Sequence, residues 1–276
     1  MELYEYSGAG NNFVVLDGRK EDVSAFRTPE RVRALCKERH TDGLMILEGP
    51  RSAGADFGMC FFNPDGTGGM MCGNGGRCIA AFADAMGLEA GRQSPEGHPL
   101  YRFDAPDGLH TAEILRRPAP EAPCWTVRLG MIDVRAALPC MGGYFLNTGT
   151  RHLVLFVPDV EAVDVAAEGS RLRHDPGFAP EGTNVNFVSV HPDGLHVRTF
   201  EKGVEAETLA CGTGLTASAI AAYVHGLAPS SERQGRVFYT LTARRGDRLQ
   251  VDFVHGPESI ACDVFLTGPA EQINRL

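Results

Sequence analysis

Two short segments, Met71-Cys72-Gly73-Asn74-Gly75 and Ala210-Cys211-Gly212-Thr213-Gly214, repeat one pattern in the two halves of this 276-residue chain. Each opens a run rich in small and apolar residues, and further matches surround them. Gly8-Ala9-Gly10-Asn11-Asn12-Phe13-Val14-Val15-Leu16 and Asn147-Thr148-Gly149-Thr150-Arg151-His152-Leu153-Val154-Leu155 both place a small-residue turn before an apolar strand. Asn11 and Cys72 are 61 positions apart, and so are Thr150 and Cys211. Phe61-Phe62-Asn63 pairs with Thr199-Phe200-Glu201, and Asp42-Gly43-Leu44-Met45-Ile46-Leu47 with Thr183-Asn184-Val185-Asn186-Phe187-Val188. A chain with this layout reads as one unit of about 135 residues used twice, a usual domain size. We expect a first half over residues 1–133, carrying Cys72, and a second over 134–276, carrying Cys211, facing each other across a shared cleft.

A cysteine followed by glycines at a helix start has backbone N–H groups and the positive end of the helix dipole beside its sulfur. Both favour thiolate over thiol. Two such sulfurs suggest an acid and a base.

The remaining pattern is rich in strands. Short apolar or alternating runs bounded by Gly, Pro, Asn and Asp fall at residues 13–16, 44–47, 57–62, 126–129, 153–157, 185–190, 195–200, 249–254 and 261–266. Pro29 to Lys37 reads as a helix with Thr28 as N-cap and proline at the first helical position. Cys78 to Met86 and Thr216 to Val224 read as buried, Ala-rich helices following the two cysteine-glycine turns. The fold class is therefore α+β: each half is a curved, mainly antiparallel sheet wrapped around a central helix with a cysteine at its N-terminus.

Composition removes several kinds of function. The net charge of −9 argues against nucleic acid as a partner, because phosphate binding needs clustered Lys and Arg. No apolar run approaches the roughly 18 to 20 residues needed to span a bilayer, and the N-terminus has no basic-then-apolar signal pattern, so no membrane partner and a cytoplasmic location are expected. In that compartment the eight cysteines are expected as free thiols, catalytic groups or metal ligands rather than a disulfide framework. Cys72 and Cys78 are spaced C-x5-C, wider than zinc pairs, with no second close pair, and C-x-x-C is absent. Cys36, Cys60, Cys78, Cys124, Cys140 and Cys262 read as small buried hydrophobes.

Taken together, Tyr6-Ser7-Gly8-Ala9-Gly10-Asn11-Asn12-Phe13, Phe62-Asn63-Pro64-Asp65-Gly66-Thr67, Met71-Cys72-Gly73-Asn74-Gly75-Gly76-Arg77-Cys78, Thr183-Asn184-Val185-Asn186-Phe187 and Glu207-Thr208-Leu209-Ala210-Cys211-Gly212-Thr213-Gly214 resemble the diaminopimelate epimerase family. Asn after the first Cys-Gly favours that family over the related proline racemases. The resemblance implies two similar domains and a final strand, from about residue 266, returning to the first. It also implies a homodimer and an enzyme using neither pyridoxal phosphate nor metal, with no cofactor at all. Its substrate is a small amino acid: LL-diaminopimelate is epimerised to the meso form, feeding lysine and cell-wall synthesis. Cys72 and Cys211 match the two sulfurs that exchange the α-proton on opposite faces. Backbone N–H groups of Gly73, Asn74, Gly212 and Thr213 would hold the α-carboxylate. Asn11 and Glu201 match the residues on the α-ammonium, and Asn63 and Asn184 those at the distal end. His152 matches a histidine near the substrate.

This chain departs from the family at its distal positions. Lys202 stands where an arginine usually grips the distal carboxylate, and Thr150-Arg151 replaces Asn-Pro before His152. Arg39-His40-Thr41-Asp42-Gly43-Leu44 is about four residues shorter than the usual turn, which would open one wall. Each residue also has a plain structural reading: Cys-Gly-x-Gly as a packing turn, Asn63 as a turn builder before Pro64-Asp65-Gly66, Glu201 as a solvated strand end, His152 as a strand-end histidine. Two rival functions follow. One is a cofactor-independent racemase of another amino acid, such as histidine. The other is an amino-acid-binding protein whose thiols form a redox switch.

Overall fold

Phe13 to Leu16 and Leu44 to Leu47 lie in neighbouring strands and are all but inaccessible to solvent. Uninterrupted apolar runs of this kind belong to strands covered on both faces. The computed structural model describes residues 2–276, and the chain divides into two units: one runs to Leu129 and takes in Gly268–Leu276, the other is Gly130–Thr267.

The first unit contains β1 (Leu3–Gly8), β2 (Asn11–Asp17), α1 (Pro29–Arg39), β3 (Leu44–Glu48), β4 (Phe57–Phe62), α2 (Gly73–Ala85), β5 (Arg92–Gln93), β6 (Pro99–Ala105), β7 (Gly108–Arg116) and β8 (Trp125–Gly130). The second contains β9 (Leu138–Cys140), β10 (Gly143–Asn147), β11 (Arg151–Phe156), α3 (Val165–Arg173), β12 (Asn184–His191), β13 (Gly194–Glu201), β14 (Ala206–Thr208), α4 (Gly212–Val224), β15 (Ser231–Arg233), β16 (Arg236–Thr242) and β17 (Arg248–Val254). The last strand, β18 (Cys262–Arg275), pairs through its first part with β17 and through its last with β1.

The two units repeat one pairing scheme. In the first, β1/β2 is antiparallel, β2/β3 parallel, β3/β4 antiparallel, β4/β6 parallel, and β6/β7 and β7/β8 antiparallel. In the second the same sequence of senses runs through β10/β11, β11/β12, β12/β13, β13/β16, β16/β17 and β17/β18. Registers agree as well. Val14 pairs with Leu44 and Leu44 with Phe62, while Leu153 pairs with Val185 and Val185 with Phe200. Counting from these anchors makes Asn11 the counterpart of Thr150 and Asn63 that of Glu201.

Each unit has two apolar layers. α1 covers one side of β2 and β3 through Val32, Leu35 and Cys36, which pack with Val14, Leu16, Leu44 and Ile46. α3 does the same in the second unit, where Val165 and Leu172 pack with Leu153, Val185, Phe187 and Phe200. In each unit a second helix, α2 or α4, is wrapped by the sheet and buried almost all round. α1 follows the expected signals: Thr28 Oγ1 accepts the Arg31 N–H at 3.4 Å, Pro29 begins the helix and His40 ends it in the left-handed region. α3 starts at an Asp164 N-cap, whose Oδ1 accepts the Ala167 N–H at 3.0 Å; it is short, and only Val165, Gly169 and Leu172 are buried.

Sequence propensity places the starts of the two central helices too late. They begin at Gly73 and Gly212, directly after the cysteines, rather than at Cys78 and Thr216. Glycines weaken a helix in isolation, but here packing requires them. A Cβ on Gly214 would sit 2.4 Å from Asn186 Oδ1, and one on Gly76 would sit 2.9 Å from Leu129 Cδ2. The two helices also end alike. Leu88 N–H bonds Ala83 O at 3.1 Å and Leu227 N–H bonds Ala222 O at 3.0 Å, the six-residue closure of a Schellman end. Tyr101 OH then donates to Leu88 O at 2.6 Å, and Tyr239 OH to Leu227 O at 2.7 Å.

Candidate active site

In the first unit Cys72 is the N-cap of α2, and its Sγ accepts the Gly75 N–H at 3.3 Å. Its backbone is extended, as an N-cap requires. The first N–H groups of a helix have no partner within it, so Gly73 and Asn74 present donors at the same end. Asn74 is 4% exposed, and its Nδ2 donates to Asn11 Oδ1. Asn11 Nδ2 donates in turn to Asp42 Oδ2 at 3.3 Å, and the Asn12 N–H reaches the same oxygen at 2.9 Å. The shortened turn before Leu44 is thus tied to the start of β2.

Arg77 closes this arrangement from below. Its side chain is fully buried, with Nη1 donating to Gly73 O at 2.9 Å, Nη2 to Asn74 Oδ1 at 3.0 Å and Nε to Pro269 O at 3.2 Å. Buried cations persist only with such satisfaction. The sequence motifs give Arg77 no part in the site, although a charge inside a run of small buried residues is a usable signal. Cys78 Sγ sits behind it, and burial pushes that thiol up to about 12. Asn63 lies on the loop after β4, where its Nδ2 donates to Thr67 Oγ1 at 3.0 Å and to Gly68 O at 3.3 Å. Its amide hydrogens therefore hold the Pro64–Thr67 turn.

In the second unit Cys211 holds the matching N-cap position of α4 and is 8% exposed. Thr213 Oγ1 lies 3.4 Å from its sulfur. Burial first, and then the nearby Glu201 carboxylate, push the Cys211 thiol well above its ordinary range, with Thr213 and the Gly214 N–H acting in the opposite sense. Glu201, at the end of β13, also accepts the Thr208 hydroxyl.

Thr150, His152, Asn184 and Thr213 are brought together by α4 and the ends of β11 and β12. Thr150 Oγ1 lies 2.9 Å from His152 Nε2, 3.1 Å from Thr213 Oγ1 and 3.3 Å from Asn184 Nδ2. Asn184 Nδ2 also donates to Arg151 O at 3.0 Å, and its Oδ1 accepts the Lys202 N–H at 2.8 Å. His152 is fully buried, and desolvation pushes its imidazole down to about 3, so the ring is neutral at ordinary pH. Asn186, two residues beyond Asn184 on the same face of β12, lies 3.0 Å from His152 Nδ1. It belongs to the Thr183–Phe187 motif, yet the motif alone gives it no role; two amides at alternate positions in the buried first part of the strand are its signal. Lys202 is exposed. Among the described residues no group of three or more His, Cys, Asp or Glu side chains is gathered to hold a metal ion.

The chain is similar to several known proteins. The family profile described as diaminopimelate epimerase matches residues 144–238. The diaminopimelate epimerase of Chlorobaculum tepidum is 38% identical over 98% of both chains. That of Aquifex aeolicus is 37% identical over 99% of this chain and 96% of its own. The chain belongs to the diaminopimelate epimerase family. Solved structures show the same fold at much lower identity. A phenazine biosynthesis protein of Bacillus anthracis has a TM-score of 0.72 at 12% identity, covering 100% of this chain and 98% of its own. A hydroxyproline epimerase of Agrobacterium vitis has a TM-score of 0.64 at 16% identity, covering 100% of this chain and 91% of its own. Membership in the diaminopimelate epimerase family fits the isomerase class and the α+β fold.

Proposed function

We propose that this protein epimerises LL-diaminopimelate to meso-diaminopimelate by transferring an α-proton between Cys72 and Cys211, without a cofactor, in the synthesis of lysine and cell-wall precursors. The observation that carries this reading is the placement of a cysteine at the N-cap of the buried central helix in each of two register-matched units, in a chain of this family. One sulfur, as thiolate, removes the α-hydrogen; the other, as thiol, protonates the opposite face, and the reverse reaction swaps the roles.

The α-hydrogen beside a carboxylate is a weak acid, so the developing charge needs fixed donors. The N–H groups of Gly73, Asn74, Gly212 and Thr213 are aligned at two helix N-termini and suit the α-carboxylate. Asn11 and Glu201 are assigned to the α-ammonium, and Asn63, Asn184 and Lys202 to the distal end. Burial and the Glu201 charge keep the Cys211 sulfur protonated in the resting protein, which fits it to donate first. The family resemblance supports a cytoplasmic homodimer.

A second reading rests on the altered distal residues. Both amide hydrogens of Asn184 are committed within its own unit, and Lys202 offers a point charge where a guanidinium fork is usual. Such a pocket suits a racemase for another amino acid. The test is α-proton exchange in D2O, followed by NMR, with reduced protein and separate samples of LL- and meso-diaminopimelate, histidine, glutamate and proline. Wash-in confined to diaminopimelate supports the epimerase. Exchange with a different amino acid alone keeps the two-thiol chemistry and overturns the substrate, and no exchange with any of them overturns the activity.

A further inference from the structure

We infer that Thr150 is a positioning residue that aims the Thr213 hydroxyl hydrogen at the Cys211 sulfur, as the last relay in a one-way chain of donors beginning at Asn186. The direction follows from which atoms can donate. Asn186 Nδ2 lies 3.1 Å from Leu153 O, an obligate acceptor, and Asn186 Oδ1 accepts the Thr199 hydroxyl at 2.9 Å, so the amide cannot be turned round. Its Nδ2 therefore donates to His152 Nδ1 as well. A neutral imidazole that accepts at Nδ1 carries its hydrogen on Nε2, and Nε2 faces Thr150 Oγ1 at 2.9 Å.

Thr150 Oγ1 consequently accepts from His152. It accepts again from Asn184 Nδ2, whose own orientation is fixed because its Oδ1 takes the Lys202 N–H. With both lone pairs in use, the Thr150 hydroxyl donates its hydrogen to Thr213 Oγ1, 3.1 Å away. The Thr213 hydroxyl then turns its hydrogen toward Cys211 Sγ at 3.4 Å. A donor fixed in this sense favours thiolate over thiol at a sulfur that burial and Glu201, the charged group facing it from β13, otherwise hold in the neutral form. Chains of hydrogen bonds polarised in one direction strengthen each member.

The inference deepens the proposed function, since it concerns the sulfur assigned there, but its tests need no substrate. 15N spectra of histidine-labelled protein should show His152 as the Nε2–H tautomer across neutral pH; the Nδ1–H tautomer or an imidazolium overturns the relay. The rate of Cys211 alkylation by iodoacetamide, followed by mass spectrometry as a function of pH with Cys72 as internal reference, reads the thiolate fraction. Thr150→Val should slow Cys211 roughly tenfold at a given pH, the size of one pKa unit, leave Cys72 unchanged, and be rescued by Thr150→Ser. Unchanged Cys211 rates in Thr150→Val, an equal change at Cys72, or failure of serine to rescue would each refute it. Should Thr150→Val not fold, Thr213→Val is expected to give the same selective slowing, and an unslowed Cys211 in that variant refutes the relay equally.

Discussion

The two units place matching links at the mouth of each central helix and build them from different chemistry. Asn74 on α2 bonds Asn11, and the counterpart on α4, Thr213, meets Thr150, which is the counterpart of Asn11. Arg77 and its counterpart Thr216 each donate to the carbonyl of the first helical residue, Gly73 and Gly212, at 2.9 and 3.0 Å. In the first unit the link runs from a buried cation through two amides to the Asp42 carboxylate. In the second it runs through a neutral imidazole and two hydroxyls to a sulfur with an anion beside it. One backbone scheme thus supports opposite local electrostatics, which suits the acid and base roles proposed for the two sulfurs.

The largest effects should come from the sulfurs. Cys72→Ala and Cys211→Ala are each expected to lower epimerisation by about a thousandfold or more, at the upper end of what a positioned acid or base supplies. Deuterium wash-in at the α-carbon measures this. A variant that keeps a tenth of wild-type exchange in both directions would show that one half can work alone.

Next in size is stability. Arg77→Met removes the side-chain donors to Gly73 O, Pro269 O and Asn74 Oδ1 inside the core, and should cost about 3 kcal/mol or more. Thr216→Val removes one hydroxyl bond to a helix carbonyl and should cost about 1 kcal/mol. Urea unfolding of the two variants tests the contrast directly, and equal losses would mean that the buried cation has no special structural weight.

A smaller effect depends on pH. His152 is held neutral with its pKa pushed down to about 3, whereas an unfolded histidine titrates near 6.5. Because the unfolded state takes up the proton first, stability is unaffected above about pH 6.5 and falls as pH drops from there toward 3, by about 2 kcal/mol at pH 5. The counterpart in the first unit is Phe13, which cannot titrate. His152→Gln should remove this part of the acid sensitivity; unfolding midpoints at pH 7 and pH 5 that shift alike in wild type and variant would contradict it.

The sequence discloses these features unevenly, for physical reasons. The all-apolar strands and the capped α1 are readable because burial on two faces and a Thr-Pro start leave local signatures. The helical starts at Gly73 and Gly212 are not, because glycine's low helix propensity is overridden by contacts such as Gly214 against Asn186, which come from distant parts of the chain. The cysteines are legible as a spacing. The partners of the polar groups behind them are not: Arg77 and Asn186 act through residues 192 and 34 positions away, and no local pattern separates the role of Asn186 from that of Asn184.

The smallest effect concerns Lys202, which is exposed and whose main chain, through the Asn184 amide, is its firmest tie to the fold. An exposed ammonium interacts weakly with a carboxylate, whereas a guanidinium can bind both oxygens in a fixed plane. If diaminopimelate is the native substrate and its distal carboxylate reaches this position, Lys202→Arg should lower KM about two- to fivefold and leave kcat unchanged, because the contact is equally present in ground and transition states. A changed kcat with constant KM would place Lys202 near the reacting carbon. No change in either would remove it from the distal contacts.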